Sequence, residues 1–176
     1  METGVSTLTL PAPALAPVSS IAMSDYEIRT IDAGSAIDLR TALLRGEVGP
    51  PGPEAADRSE GALHCGGFRG EVLVGAASVH PQAMPGSHQV GAWRLRAVAV
   101  EHGHRGRGLG ALLVERCSEH VAIQDAAVLW CFSPAGSFGF FERQGFSRHG
   151  DPIDIEKAPF YVAYAEVAPL DRSWAL

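Results

Sequence analysis

The chain has 176 residues, 46% of them hydrophobic, and a formal net charge of −6. That length and apolar content fit one globular domain with a real core, and the acidic balance argues against a nucleic-acid-binding protein, which is ordinarily basic. Three cysteines without framework spacing (Cys65, Cys117 and Cys131) point to reduced thiols and a cytoplasmic location, and no apolar run is long enough to span a bilayer.

Residues 1–24 carry Pro11, Pro13 and Pro17 and no Lys or Arg. They lack the basic start and unbroken apolar stretch of a signal peptide. A disordered leader is expected there, with Met23 as an alternative start. The domain is expected over 25–170 and a short tail over 171–176.

Tyr26 to Ile31 alternates polar and apolar residues and predicts a first strand. Ala36 to Leu44 predicts a helix, with Ile37, Leu39, Leu43 and Leu44 as its apolar positions and Gly46 as its end. Pro50, Pro51 and Pro53 make residues 46–60 a loop, with a short helical turn at Glu54 to Arg58. Ala62 to Arg69 and Val72 to His80 predict a hairpin turning at Arg69-Gly70-Glu71. Residues 81–91 read as a loop and Ala92 to Val100 as a strand. Gly108 to Val121 predicts a helix with Leu109, Leu112, Leu113, Cys117 and Val121 on one face. The unbroken apolar run from Ala127 to Phe132 predicts a central strand. Ser137 to Gln144 reads as a short helix capped by Ser137, with Gly145 at its C′ position. Ser147 to Ile155 and Phe160 to Val167 close the chain as strands. The order β-α-β-β-β-α-β-α-β-β is that of an α/β protein with a mixed sheet and packed helices.

One junction carries the chemistry. The strand ending at Val100 runs through Arg105-Gly106-Arg107-Gly108-Leu109-Gly110 into a helix. Glycines let backbone N–H groups approach a ligand, and the helix N-terminus and two arginines add positive charge. The combination suits a phosphate or pyrophosphate. A P-loop is excluded because no Lys follows the glycines. Gly106, Gly108 and Ala111 satisfy a dinucleotide fingerprint, but the strand Leu129-Trp130-Cys131-Phe132 ends without the acid that would hold a ribose.

Arg105-x-x-Gly108-x-Gly110 resembles the Q/R-x-x-G-x-G/A signature of the GCN5-related N-acetyltransferases (GNAT). Trp93 to Val100 and Ala127 to Phe132 resemble that family's fourth and fifth strands. Phe140-Phe141-Glu142-Arg143-Gln144-Gly145-Phe146 resembles its F-Y-x-x-x-G-F element. The resemblance implies the acyl-CoA N-acyltransferase fold: a mostly antiparallel sheet of six to seven strands with helices on both faces. It implies acetyl-CoA or another acyl-CoA as co-substrate. The pyrophosphate would lie on Arg105, Gly106, Arg107, Gly108, Leu109 and Gly110. The pantetheine would run along Val98, Ala99 and Val100 where the fourth and fifth strands splay, with Phe140 beside it. A homodimer through the last strands is also expected.

The chain departs from the family in three motifs. Phe141 stands where the family often has a proton-donating Tyr. Trp130-Cys131-Phe132-Ser133-Pro134 replaces W-C-N-A-R. Ala158-Pro159-Phe160 replaces G-P-H. Tyr161 and Ser133 are the expected replacement acids, with Tyr164 and Cys131 also in reach. His64 and His80, on the second and third strands, are the candidate bases, since imidazole has the right ordinary pKa. His64 also follows Asp57 at a spacing that resembles the D…H pattern of small-molecule acetyltransferases. Each histidine could equally be a packed strand residue. Arg94 and Arg96 share a strand face, where an acidic acceptor, the phosphate end of the donor or plain solvent would suit them. His102-x-His104 lacks partner ligands, and no metal is expected.

The expected activity is direct transfer of an acyl group, acetyl foremost, to an amine of a small molecule, with no nucleic acid or membrane as partner. The alternative is a GNAT-fold protein with altered or lost chemistry. It would use a carrier-bound or tRNA-bound acyl group, or bind CoA without catalysis.

Overall fold

The computed structural model describes residues 25–44, 54–155 and 157–168. The expected leader at 1–24, the loop glycine and prolines at 46–53 and the tail at 171–176 lie outside those residues.

Seven strands form one sheet in the order β1-β2-β3-β4-β5-β7-β6. They are β1 Glu27–Thr30, β2 Leu63–Arg69, β3 Val72–Pro81, β4 Ala92–Val100, β5 Val128–Pro134, β6 Ser147–Ile155 and β7 Ala158–Glu166. Every neighbouring pair is antiparallel except β4 with β5. The expected mixed, mostly antiparallel sheet is therefore present, and β5 is interior as its apolar run requires.

The helices are α1 (Ala33–Leu43), α2 (Leu109–Ile123) and α3 (Phe138–Arg143). A 3-10 turn covers Glu54–Arg58 as expected. α2 drives Leu109, Leu113, Cys117 and Val121 into the main core, which also holds Leu95, Leu129 and Phe141. Side chains alternate along a strand, so Arg94 and Arg96 leave β4 on the opposite face, where α1 packs. Trp130, Val162 and Met84 form a smaller core.

Two local expectations need correction. α1 starts at Ala33, before the expected Ala36, because Asp32 caps it: Asp32 Oδ1 accepts from the Ser35 N–H at 2.9 Å. Ser137 precedes α3 but makes no side-chain cap bond. A 3-10 turn at Ala135–Ser137 feeds the helix directly, so the first turn needs no hydroxyl. Gly145 does take the left-handed C′ conformation, with φ +87°.

Candidate active site

β4 and β5 pair only at Ala92–Val128, Trp93–Leu129 and Arg94–Trp130. Beyond Arg94 they part, and a cleft of about 860 Å³ fills the gap. Its floor is the free stretch of β4 from Leu95 to Val100, faced by Cys131, Phe132 and Phe160.

β4 also carries a bulge. Ala76 and Ser78 of β3 face Ala99 and Arg96, so β4 holds one residue more over that span. Ala97 takes φ +53°, a costly conformation for a residue with a Cβ. The bulge re-aims the β4 backbone at the point where its β5 partner has gone. No sequence signal marks it, since alanine has no preference for this region.

At the far end the glycine loop closes the cleft. Gly106 and Gly108 have φ +73° and +87°, a requirement that glycine meets without strain. A Cβ on Gly106 would meet nothing within 4 Å, so its backbone faces open space. Gly110 is constrained differently: a Cβ there would meet the Phe140 ring at 3.2 Å. Arg105 Nε donates to Val100 O at 2.9 Å and ties the loop to the end of β4. Gly108 precedes α2 without a side-chain cap, which leaves the first N–H groups of the helix to an anion. Glycine backbone facing open space, a helix N-terminus and an adjacent arginine fit a pyrophosphate.

Of the expected binding residues, Val98, Ala99, Val100, Arg105, Gly106, Gly108, Gly110 and Phe140 line the cleft. Leu109 instead turns its side chain into the core and is 1% exposed. Arg107 is exposed beside the lining.

A family model for the GNAT acetyltransferase domain matches residues 64–148, the span that holds β4, the loop and β5. The Bacillus subtilis protein YitI, described as an uncharacterised N-acetyltransferase, is 28% identical over 130 residues, 73% of this chain and 87% of that protein. An aminoglycoside 6′-N-acetyltransferase in complex with coenzyme A superposes with a TM-score of 0.65 at 15% identity, over 82% of this chain and 98% of that one. FeeM, an N-acyl amino acid synthase from uncultured soil microbes, superposes with a TM-score of 0.67 at 14% identity, over 81% of this chain and 91% of that one.

Over residues 64–148 the chain belongs to the GNAT superfamily.

That family is one of N-acyltransferases. The four expected catalytic side chains, His64, His80, Ser133 and Tyr161, are not part of the cleft lining. His64 has both ring nitrogens engaged, Nδ1 with Ser78 Oγ at 2.7 Å and Nε2 with the Asp57 carbonyl at 2.8 Å. The Asp57 carboxylate faces elsewhere, so the two do not form a carboxylate–imidazole pair. His80 Nε2 meets Gln82 Oε1 at 2.9 Å. Burial lowers its pKa, partly offset by that bond. Ser133 is fully buried and donates to the Pro134 carbonyl at 3.1 Å. Tyr161 packs edge-on to Phe138 beneath the Arg148 guanidinium.

Sequence reasoning missed α1's share of the site. Arg40 reaches the cleft from α1 and Leu44 from its C-cap. Arg40 clamps the Asp57 carboxylate at 2.9 and 2.6 Å, and Arg96 adds a third contact at 3.2 Å. Burial works against the charge on Asp57, but the hydrogen bonds from Arg40 and the charge of Arg96 outweigh it and hold its pKa below the usual carboxylate value. An arginine on the buried side of a short helix breaks the apolar pattern, so only the contact itself reveals its partner.

Proposed function

We infer that the protein transfers an acyl group, acetyl foremost, from acyl-CoA directly to the amine of a small molecule. The observation that carries this reading is the cleft that runs continuously from the glycine loop to the β4–β5 opening.

When bound, the co-substrate supplies an activated thioester and a thiolate leaving group. The chain's own residues bind and orient. The loop from Arg105 to Gly110 and the first turn of α2 hold the pyrophosphate. The freed β4 backbone at Val98 to Val100 is in reach of amide groups along the pantetheine. Phe141, packed on Phe140 and Phe146, offers no proton there. Among the described residues no aspartate or glutamate lines the cleft. The imidazole in the lining, His104, sits at the glycine-loop end and is engaged by the Tyr26 hydroxyl at 2.9 Å, so in this reading solvent takes the proton from the amine and returns one to the leaving thiolate. His80 holds Gln82, and Gln82 in turn accepts from Arg94 at 3.3 Å, so in this reading His80 is a positioning residue.

A covalent relay through Cys131 is disfavoured. Burial pushes its thiol well above the ordinary range, which leaves almost no thiolate at neutral pH. β6 lies at the sheet edge with Ile153 partly exposed, which supports a homodimer through the last strands. The three free cysteines support a reducing, cytoplasmic setting.

The test is calorimetric titration with acetyl-CoA of the parent and an Arg105→Ala, Arg107→Ala double variant, followed by thiol release across an amine panel. Binding by the parent, at least tenfold weaker in the variant, together with amine-dependent release supports the reading. Binding without release on any amine would favour a CoA-binding module without catalysis. An absence of binding would overturn acyl-CoA as donor and favour a carrier-bound or tRNA-bound group.

A further inference from the structure

The strongest unexplained feature of the acceptor half is Arg94. It is 6% exposed, yet it lines the cleft at the last point where β4 and β5 still pair. Its guanidinium sits over the Trp130 and Phe132 rings, 5.3 and 4.9 Å from their centroids. Its single hydrogen bond to a described side chain is the long one to Gln82, and its Nε is buried with no partner. No described carboxylate forms an ion pair with it. Burial, reinforced by Arg96, lowers its pKa to about 10, so it remains a cation at neutral pH.

A buried cation without a counter-ion is costly. A fold tolerates that cost where a ligand supplies the missing charge. The neighbourhood reinforces the point. Arg40, Arg94 and Arg96 all line this end, and the Asp57 carboxylate between Arg40 and Arg96 is the one described acid paired with any of them. The aromatic stack holds the Arg94 fork flat, which suits a planar two-oxygen anion.

We propose that the acceptor amine carries a carboxylate, as an amino acid does, and that this carboxylate seats on Arg94 with Arg96 beside it. The bulge at Ala97 lies three residues along β4, about 10 Å in strand rise. Arg94 and Ala97 line the same cleft, so a small zwitterion seated on Arg94 can point its amine to the β4–β5 opening. This rests on the acyl-transfer reading above and names the acceptor class for it.

The experiment compares α-, β- and γ-amino acids with their carboxamides as acceptors under saturating acetyl-CoA. For at least one carbon skeleton, kcat/KM is expected to be about tenfold to a hundredfold higher for the acid than for the amide, the loss expected when a charged hydrogen bond is removed. Arg94→Gln should abolish that preference, and Arg94→Lys should keep part of it. Equal rates for acids and amides, or an undiminished preference in Arg94→Gln, would overturn the proposal. So would an amine bearing a phosphate that outperforms every carboxylate.

A second readout needs no donor. N-acetylated amino acids should raise the melting temperature of the parent, their amides should not, and Arg94→Gln should lose the effect. If acetyl-CoA does not bind but this shift is present, the donor assignment fails and the carboxylate seat stands. If acetyl-CoA binds but the shift and the acid preference are both missing, the seat fails and the transferase reading stands.

Discussion

Asp57 is a carboxylate with no exposed side-chain surface, held between two arginines. Removing its charge leaves Arg40 uncompensated in the interior. Asp57→Asn should therefore destabilise the fold by about 3–5 kcal/mol, the usual cost of breaking a buried pair from one side, read by denaturant unfolding. The sign with pH follows from its lowered pKa. The contribution is fully present above the unfolded carboxylate value, about 3.9, and is lost as pH falls through the lower folded value. The Asp57→Asn variant should accordingly show a shallower fall in stability at acid pH than the parent. Cys131 makes the opposite kind of prediction. Its buried thiol is protonated, so Cys131→Ala should keep kcat/KM within a few-fold, whereas a hundredfold loss would reinstate a covalent relay. His64, Asp57 and the arginines could all be picked out in the sequence as polar residues. Which carbonyl or carboxylate each one meets depends on β2, β4 and α1 arriving together.

At the scale of elements, the cleft depends on β4 losing its β5 partner and bulging at Ala97. Ala97→Gly should leave stability unchanged or raise it by up to about 1 kcal/mol, because glycine relieves the positive φ while adding unfolded-state freedom. Ala97→Val should cost more than about 1 kcal/mol, since a β-branched side chain resists this conformation more strongly. It should also weaken acetyl-CoA binding, because it straightens the strand against the cleft. Thermal unfolding and titration of the same two variants check both halves. Strand positions were legible to within about two residues because alternation and glycine-rich turns are local: β5 runs Val128–Pro134 where 127–132 was expected, and β7 Ala158–Glu166 where 160–167 was expected. The exact span of Ala92–Val100 and of Ser147–Ile155 was expected from sequence and is present. The start of α1 was missed because Asp32 caps through Ser35, a polar signal outside the apolar stripe. The bulge was missed because it arises from mismatched register between β3 and β4, and neither strand encodes that alone.

For the whole molecule, charge is unevenly placed. The chain is −6 overall, yet the cleft is lined by Arg40, Arg94, Arg96, Arg105 and Arg143 and by no described acid. Acetyl-CoA affinity should therefore fall as salt rises, by about tenfold between roughly 50 and 500 mM, because screening shortens the reach of these charges. An affinity indifferent to salt would mean that the arginines do not engage the phosphates. Among the described residues no helix is long and apolar enough to cross a membrane. What the sequence determined by itself was the order of elements, the central place of β5 and the glycine-rich loop that opens α2, because periodicity, glycine spacing and a helix start act over a few neighbouring residues. Tertiary structure alone decided that Arg40 reaches Asp57 across 17 positions, that His64 and Ser133 spend their polar atoms on neighbours, and that Arg94 is buried in the cleft lining with no described carboxylate paired to it. Those outcomes depend on which strands pair and where they part, and burial turns an ordinary arginine into a costly one only once the sheet has closed around it.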